Sequence, residues 1–320
     1  MERGNGAAMT GNIKAAPAVG PKGQVALVAL SSPYDPDILA KGRQALAALG
    51  LTVPPGPDLT QADRYLAAPD ARRAQALWDA LTTPGVDAVL AARGGYGITR
   101  VLDLLEAQLP AYRGIAPRLV VGFSDVTALH LWLWTRLGWK SVHGPVCTSL
   151  GSEPDQAREH LRQVMQGTAS GTVLRGSGLT RGVAQGRLVG GNLAVLMALA
   201  GTRYWPDLRG CVLLLEDVTE LPHRLDRMLT QLLSITGGLA GVAGVALGHF
   251  TDCDDTKKGH TAQATLEERL AGLSIPVVRN LPVGHQAPNM ALVHGGMVTL
   301  DASVGTLTLQ EEAVVAAALT

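Results

Sequence analysis

An apolar run at residues 118–122 (RLVVG) leads directly into Phe123-Ser124-Asp125, and helical spacing starts at once, with Val126, Leu129, Leu133 and Leu137 on one stripe. A serine on a strand-to-helix turn is held with its Oγ clear of the backbone. The next N–H, at a helix N-terminus, faces the oxygen on which charge develops when that Oγ attacks a carbonyl. Gly122 supplies the first glycine of a G-x-S-x-G elbow, but Val126 stands in place of the second. From these residues Ser124 reads either as a nucleophile or as a helix N-cap with Asp125 in the first turn.

Three other segments carry residues able to join it. Residues 91–100 (AARGGYGITR) follow an apolar run and precede a helical one. Gly94, Gly95 and Gly97 expose backbone N–H groups suited to a phosphate or an oxyanion, or they serve a tight turn with positive φ. Gly95-x-Gly97-x-x-Arg100 lacks the third glycine of a dinucleotide fingerprint, and no G-x-x-x-x-G-K-[ST] occurs. Residues 211–215 end in Glu216-Asp217. An acid at the carboxyl end of a buried strand points into the ligand crevice of an α/β fold, whereas an ordinary loop carboxylate is solvated. His285 lies in a loop between Gly284 and Pro288, a position suited to a general base.

Ser124, Glu216 and His285 thus follow the order nucleophile, acid, base, each from a loop far from the others in sequence. His249, Asp252, Cys253, Asp254, Asp255 and His260 are spaced unlike any common zinc site, so no metal is expected there. His130, beside Trp132 and Trp134, reads as a satisfied structural residue, and His143, His160, His223 and His294 belong to no chemical motif.

Strands predicted at 24–30, 86–91 and 118–122 alternate with helices at 36–49, 70–81, from 98 and at 125–137. That alternation implies a parallel sheet covered on both faces. Beyond residue 150 come a short helix at 156–165 and a Gly/Ser/Thr-rich stretch at 166–185 that reads as a linker. Strands at 186–190, 211–215, 242–247 and 276–279 then alternate with helices at 192–200, 225–234 and 264–270. Residues 291–294 and 297–300, joined by Gly295-Gly296, read as a hairpin. The expected organisation is a flexible leader (1–20), an N-terminal α/β domain with the nucleophile (21–165), the linker (166–185) and a C-terminal mixed α/β domain with acid and base (186–320). The site would lie in the cleft between them.

The chain of 320 residues is long enough for about two domains. Its 27 Lys and Arg balance 27 Asp and Glu, so it lacks the positive surplus that displaces phosphate counterions, and no nucleic-acid partner is expected. Hydrophobic residues at 47% and charged residues at 17% suit a large core. Cys147, Cys211 and Cys253 cannot form a disulfide framework, which favours a reducing compartment. There is no apolar run of about 18 residues and no secretory h-region, so a cytoplasmic protein without membrane contact is expected.

Several of these segments coincide in order with one family. RGGYG (93–97), GFSD-x-TALH (122–130), HGP (143–145), GGNL (190–193), LLEDV-x-E-x-P-x-R-x-DRML (214–229), GHFTDC (248–253) and LPVGH (281–285) resemble the LD-carboxypeptidase family of serine peptidases, which includes the microcin C self-immunity peptidases. The resemblance spans roughly residues 24–300. It implies a Ser–His–Glu triad on Ser124, His285 and Glu216, and an oxyanion hole from the backbone N–H groups of Asp125 and Gly95. It implies a flavodoxin-like parallel-sheet N-terminal domain, a smaller mixed α/β C-terminal domain, no metal or other cofactor, a cytoplasmic location and a homodimer. The implied activity is release of the terminal D-alanine from muropeptide tetrapeptides through an acyl-enzyme, during peptidoglycan recycling.

Arg93, Tyr96, Arg224 and Arg227 are candidates for holding the substrate. Many members carry an aromatic residue after the proline of the Glu-bearing segment. Here His223 takes that place, a difference that bears on substrate contact and not on the triad. The alternative is a microcin-immunity-like peptidase acting on peptidyl- or aminoacyl-nucleotides. Such members tend to have a longer loop before the Glu segment with an aromatic that stacks on the base; residues 151–185 are short, and Trp205 is the aromatic available. A non-catalytic module using the glycine loop to bind a small ligand is the reading from another class.

Overall fold

A computed structural model describes residues 13–54 and 62–316. Four apolar runs form neighbouring parallel strands: β2 (Gln24–Val28), β3 (Val86–Ala91), β4 (Leu119–Gly122) and β5 (Ser141–His143). Successive side chains leave opposite faces. Val89 and Ala91 join a hydrophobic layer with residues of α2 (Asp70–Thr82), α3 (Ile98–Ala107), α4 (Leu109–Gly114) and α5 (Thr127–Trp132). Ala88 and Leu90 join the opposite layer with α1 (Pro36–Ala48), α6 (Cys147–Leu150) and α7 (Asp155–Gln166). Both faces are therefore apolar, as a parallel sheet requires.

The second sheet has eight strands in the order β6-β14-β13-β8-β9-β10-β11-β7. Its parallel centre is β8 (Val183–Asn192), β9 (Val212–Val218), β10 (Gly244–Thr251) and β11 (Val277–Arg279). Antiparallel strands flank it: β13 (Met297–Asp301), β14 (Thr306–Leu309) and β6 (Val173–Arg175) on one side, β7 (Ser177–Gly178) on the other. Leu213 and Leu215 face Leu225, Leu229 and Leu232 of α9 (Pro222–Ser234) and Leu266 of α10 (Ala262–Leu270), while Val212 and Leu214 face the layer of Val298 and Leu300. α8 (Leu193–Ala198) follows β8 with Asn192 as its N-cap, Asn192 Oδ1 accepting from Val195 N–H at 3.0 Å. No helix among the described residues is long and apolar enough to cross a membrane.

Three expectations need correction, each because a distant partner outweighs a local signal. The predicted linker is sheet: β6 pairs with β14 and β7 with β11, at opposite edges. Its glycines serve close approach, since a Cβ on Gly176 would fall 2.2 Å from Arg279 O and one on Gly178 1.9 Å from Ala302 O. The predicted hairpin does turn at Gly295-Gly296, but its arms part. β12 (Leu292–His294) runs antiparallel to β5 in the first sheet, and β13 pairs with β8 in the second. The predicted leader is structured from residue 13: Lys14 bridges to Trp139, and β1 (Ala16–Pro17) pairs with β15 (Val314–Val315). Residues 1–12 of that leader lie outside the described residues.

Between the sheets lie three wholly buried histidines, from α5, β5 and β12. His130 Nε2 donates to Gly122 O at 2.8 Å, His294 Nε2 accepts from Gly190 N–H at 3.3 Å, and the His130 and His294 rings stack at 5.5 Å. His143 completes the group, with Phe123 edge-on at 6.0 Å. Burial holds all three imidazoles below the usual histidine range, His130 at about 4.

Each regains a pKa of about 6.5 on unfolding, so its contribution to stability is complete above that pH and is lost as the pH falls. Asp125 and Asp217, raised by burial to about 6, act in the opposite sense as the pH falls through that value and offset part of the loss. Urea titrations are expected to show the unfolding free energy dropping by about 1.5 kcal/mol from roughly pH 7.5 to pH 6, the sum for three histidines less the offset from the two carboxyls. A stability that stays flat or rises over that interval would contradict this burial pattern.

Candidate active site

β4 delivers Phe123 in extended geometry (φ −151°), and the chain then bends at Ser124, whose φ of +64° lies in the left-handed region. That conformation costs a non-glycine residue roughly 1–2 kcal/mol. The turn is locked from two sides. A Cβ on Gly94 would fall 2.9 Å from Ser124 Cβ and 3.0 Å from its Oγ, so only glycine lets the loop lie against the serine. Gly95 (φ +112°) likewise has no room beside Ser32, its Cβ position lying 2.4 Å from Ser32 Oγ.

The Asp125 side chain points inward and is buried. Its Oδ2 accepts the Ile98 N–H at 2.9 Å, tying the nucleophile turn to the start of α3 and so to the glycine loop. Burial raises this carboxyl to about 6, with the Ile98 N–H and the nearby Arg73 guanidinium opposing. Asp125 stands in the first turn of the short helix Ser124–Val126, where backbone N–H groups lack an acceptor within the helix, and among the described residues Gly95 N–H has no backbone acceptor.

At the end of β9 the alternation of side chains separates two adjacent acids. Glu216, with no exposed surface, accepts from His285 Nδ1–H at 2.7 Å through Oε2. That bond fixes the proton on Nδ1 and leaves Nε2 as the free acceptor. The His285 side chain keeps 16% of its surface, so the imidazole reaches the cleft while its carboxylate stays dry. Asp217 leaves the other face, accepting from Asn192 Nδ2 (2.9 Å), Ala194 N–H (2.9 Å) and Val218 N–H (2.8 Å). It serves the start of α8 and not the imidazole. Gly284 (φ +118°) is obligatory here, because a Cβ would fall 2.8 Å from Glu216 Oε2.

The two halves meet at Phe123, whose ring packs on the His285 ring at 4.7 Å. The imidazole therefore lies beside the residue that precedes Ser124. No side-chain pattern in the sequence marks Phe123 for this role; only its place between Gly122 and Ser124 could have done so. His143 and Asn192 stand within the HGP and GGNL segments of the family resemblance, but the contacts they make depend on the fold. Asn192 N–H donates to Thr127 Oγ1 on α5 at 3.0 Å, and Gly191 (φ +143°) fits against Thr127 and His143.

The other expected residues divide. Arg93 is exposed beside Gly94 and donates to Pro33 O at 2.5 Å. Tyr96 is exposed on the same loop. Arg224, half exposed on α9, pairs with Glu220 at 3.6 Å. Trp205 is half-buried, donating Nε1–H to Gly237 O at 3.1 Å and packing on the core.

A serine bent over a strand end and an imidazole bonded to a buried carboxylate, joined through the Phe123 ring, are the parts found in α/β hydrolases. Comparison with known proteins narrows this. Residues 25–144 match the LD-carboxypeptidase N-terminal domain and residues 185–300 the LD-carboxypeptidase C-terminal domain. The chain belongs to the LD-carboxypeptidase family of peptidases. It is 44% identical to a putative carboxypeptidase of Synechocystis over 76% of this chain and 79% of that one. It is 41% identical to a putative carboxypeptidase of Streptomyces coelicolor (92% and 95%) and 34% identical to the murein tetrapeptide carboxypeptidase of Pseudomonas aeruginosa (87% and 93%). The crystal structure of muramoyltetrapeptide carboxypeptidase from Oxalobacter formigenes superposes with a TM-score of 0.78 at 31% identity, covering 89% of this chain and 97% of that one. The microcin C7 self-immunity protein in complex with glutamyl sulfamoyl guanosine gives 0.82 at 20% identity (94% and 99%), a likeness of fold.

Gly284→Ala tests how the imidazole is held. An added methyl against Glu216 is expected to displace the carboxylate and lower kcat by about 100-fold, the cost of roughly 1 Å misplacement. The downfield proton resonance of His285 Nδ1–H is expected to vanish in the same variant. A folded variant with both properties intact would contradict the contact.

Proposed function

We propose that Ser124, His285 and Glu216 act as a catalytic triad that removes the C-terminal D-alanine from murein tetrapeptides. The observation that carries this reading is the Glu216–His285 bond, 2.7 Å and buried, with the imidazole packed at 4.7 Å on Phe123, the residue before the left-handed Ser124. Ser124 Oγ attacks the carbonyl carbon of the residue before D-alanine while His285 Nε2 takes its proton. The N–H groups of Asp125 and Gly95 receive the oxyanion. The tetrahedral intermediate collapses as the imidazolium returns the proton to the departing amine, giving free D-alanine and an acyl-serine. Water, deprotonated by His285, then attacks the ester and releases the tripeptide.

Arg93 is the cation assigned to the D-alanine carboxylate, because it adjoins Gly94 against Ser124, whereas Arg224 is engaged by Glu220. The name of the Pseudomonas relative supports murein tetrapeptides as the substrate class. The nucleotide-conjugate reading draws only on fold, and the aromatic available to it, Trp205, is engaged in packing. The family resemblance adds a cytoplasmic recycling role and a homodimeric enzyme to this proposal.

The test is D-alanine release from L-Ala–D-Glu–meso-diaminopimelate–D-Ala. Wild type is expected to release it at the same rate with and without a chelator, and Ser124→Ala to be at least about 1,000-fold slower. Activity in Ser124→Ala near wild type would overturn the triad. Absence of release by wild type would overturn the substrate class.

A further inference from the structure

Resting on the murein-peptide reading, we propose that Tyr65 and Tyr96 form a built subsite for the amino-sugar ring attached to the N-terminal end of the substrate peptide. The two rings are among the exposed large side chains of the chain, 52% and 47% accessible, and their centroids lie 6.0 Å apart at 46°. Neither hydroxyl has a protein partner among the described residues.

Both are held on rigid backbone. Tyr65 sits on a tight turn closed by reciprocal bonds between Asp63 and Leu66, each 2.9 Å, with Arg64 left-handed at φ +57°. The turn is pinned to the first sheet by Ala67 N–H on Ser31 O at 2.8 Å. Tyr96 belongs to the glycine loop, its N–H donating to Ser32 Oγ at 3.2 Å, two residues from the Gly94 that touches Ser124. Next to the glycine loop lies Arg73, a buried guanidinium that bonds Leu30 O, Ala68 O and Asp70, against which Gly97 fits without room for a Cβ. Asp70 also takes a bidentate bond from Arg100 (2.8–3.1 Å). An aromatic pair fixed by this much structure is pre-organised for a ligand, because little entropy remains to be lost on binding.

The chemistry of the pair selects the ligand. The rings are too close and too tilted to admit a planar base between them. The Arg64 guanidinium already covers Tyr65 at 5.3 Å, so a peptide ammonium would meet positive charge there. What remains is a neutral ring with an apolar face and hydroxyl or acetamido groups on its edge, and the murein peptide carries one at its N-terminal end.

The experiment compares kcat/KM for the free tetrapeptide and for the same tetrapeptide linked to the murein disaccharide, in wild type, Tyr65→Ala and Tyr65→Phe. In wild type the linked substrate is expected to be favoured about tenfold through a lower KM. Tyr65→Ala is expected to abolish that ratio, and Tyr65→Phe to keep it. Ring-proton shifts of Tyr65 on adding the disaccharide alone supply a reading independent of turnover. A ratio of one in wild type, or a ratio unchanged in Tyr65→Ala, would overturn the subsite while leaving the peptidase reading intact. Turnover of neither substrate by wild type would overturn both.

Discussion

Gly190, Gly191 and Asn192, the last residues of β8, join the second sheet to the helix that follows Ser124, and the proposed site spans that contact. Ser124 stands on the first sheet; Glu216 and His285 stand on the second. Nothing local brings them together. The seam does so through Asn192 N–H on Thr127 Oγ1, Gly190 N–H on His294, and β12 adding a strand to β5 before the chain returns to the second sheet. A side chain on Gly191 would strike Thr127 Oγ1 at 2.5 Å and separate the sheets at the point where the nucleophile helix begins. The buried histidines share this seam, so the pH that loosens them loosens the scaffold of the site.

The strain at Ser124 is compensated close by. Its left-handed turn is stable because Gly94 fits beneath the side chain, Asp125 is bonded to the start of α3, and Phe123 is fixed between His143 and His285. The same arrangement aligns chemistry. Asp125 turns its carboxylate inward and leaves its N–H without an acceptor within the short helix, while Glu216 and Asp217, adjacent in sequence, are sent by strand alternation to the imidazole and to α8. One carboxylate holds the His285 imidazole and the other the start of α8, and a one-residue slip of the strand would exchange them.

Much of this was legible in the sequence. The apolar runs around β2, β3, β4 and β9 have the length and punctuation of buried strands, and the turn at Ser124 is legible because strand, serine and helix are contiguous. The pairing of Glu216 with His285 was legible only as an order of residue types and through a family resemblance, since 69 residues separate them. The errors have one cause. Gly-rich residues 166–185 look flexible, and Gly295-Gly296 looks like a hairpin turn, because local composition reports turn chemistry and says nothing of which strand lies alongside. β6, β7 and β12 find partners more than 90 residues away in the chain, and those pairings decide their structure. The roles of Phe123, His143 and Tyr65 were illegible for the same reason: each depends on a ring brought close by the fold.

The proposed mechanism requires Ser124 to be a nucleophile activated by His285 across this seam. It is tested most directly by treating the protein with a fluorophosphonate and locating the adduct by mass spectrometry. The account predicts one adduct, on the Ser124 peptide, formed at least about 100-fold more slowly in His285→Ala and absent in Ser124→Ala. Labelling of another residue, or labelling of Ser124 at an unchanged rate without the imidazole, would contradict it.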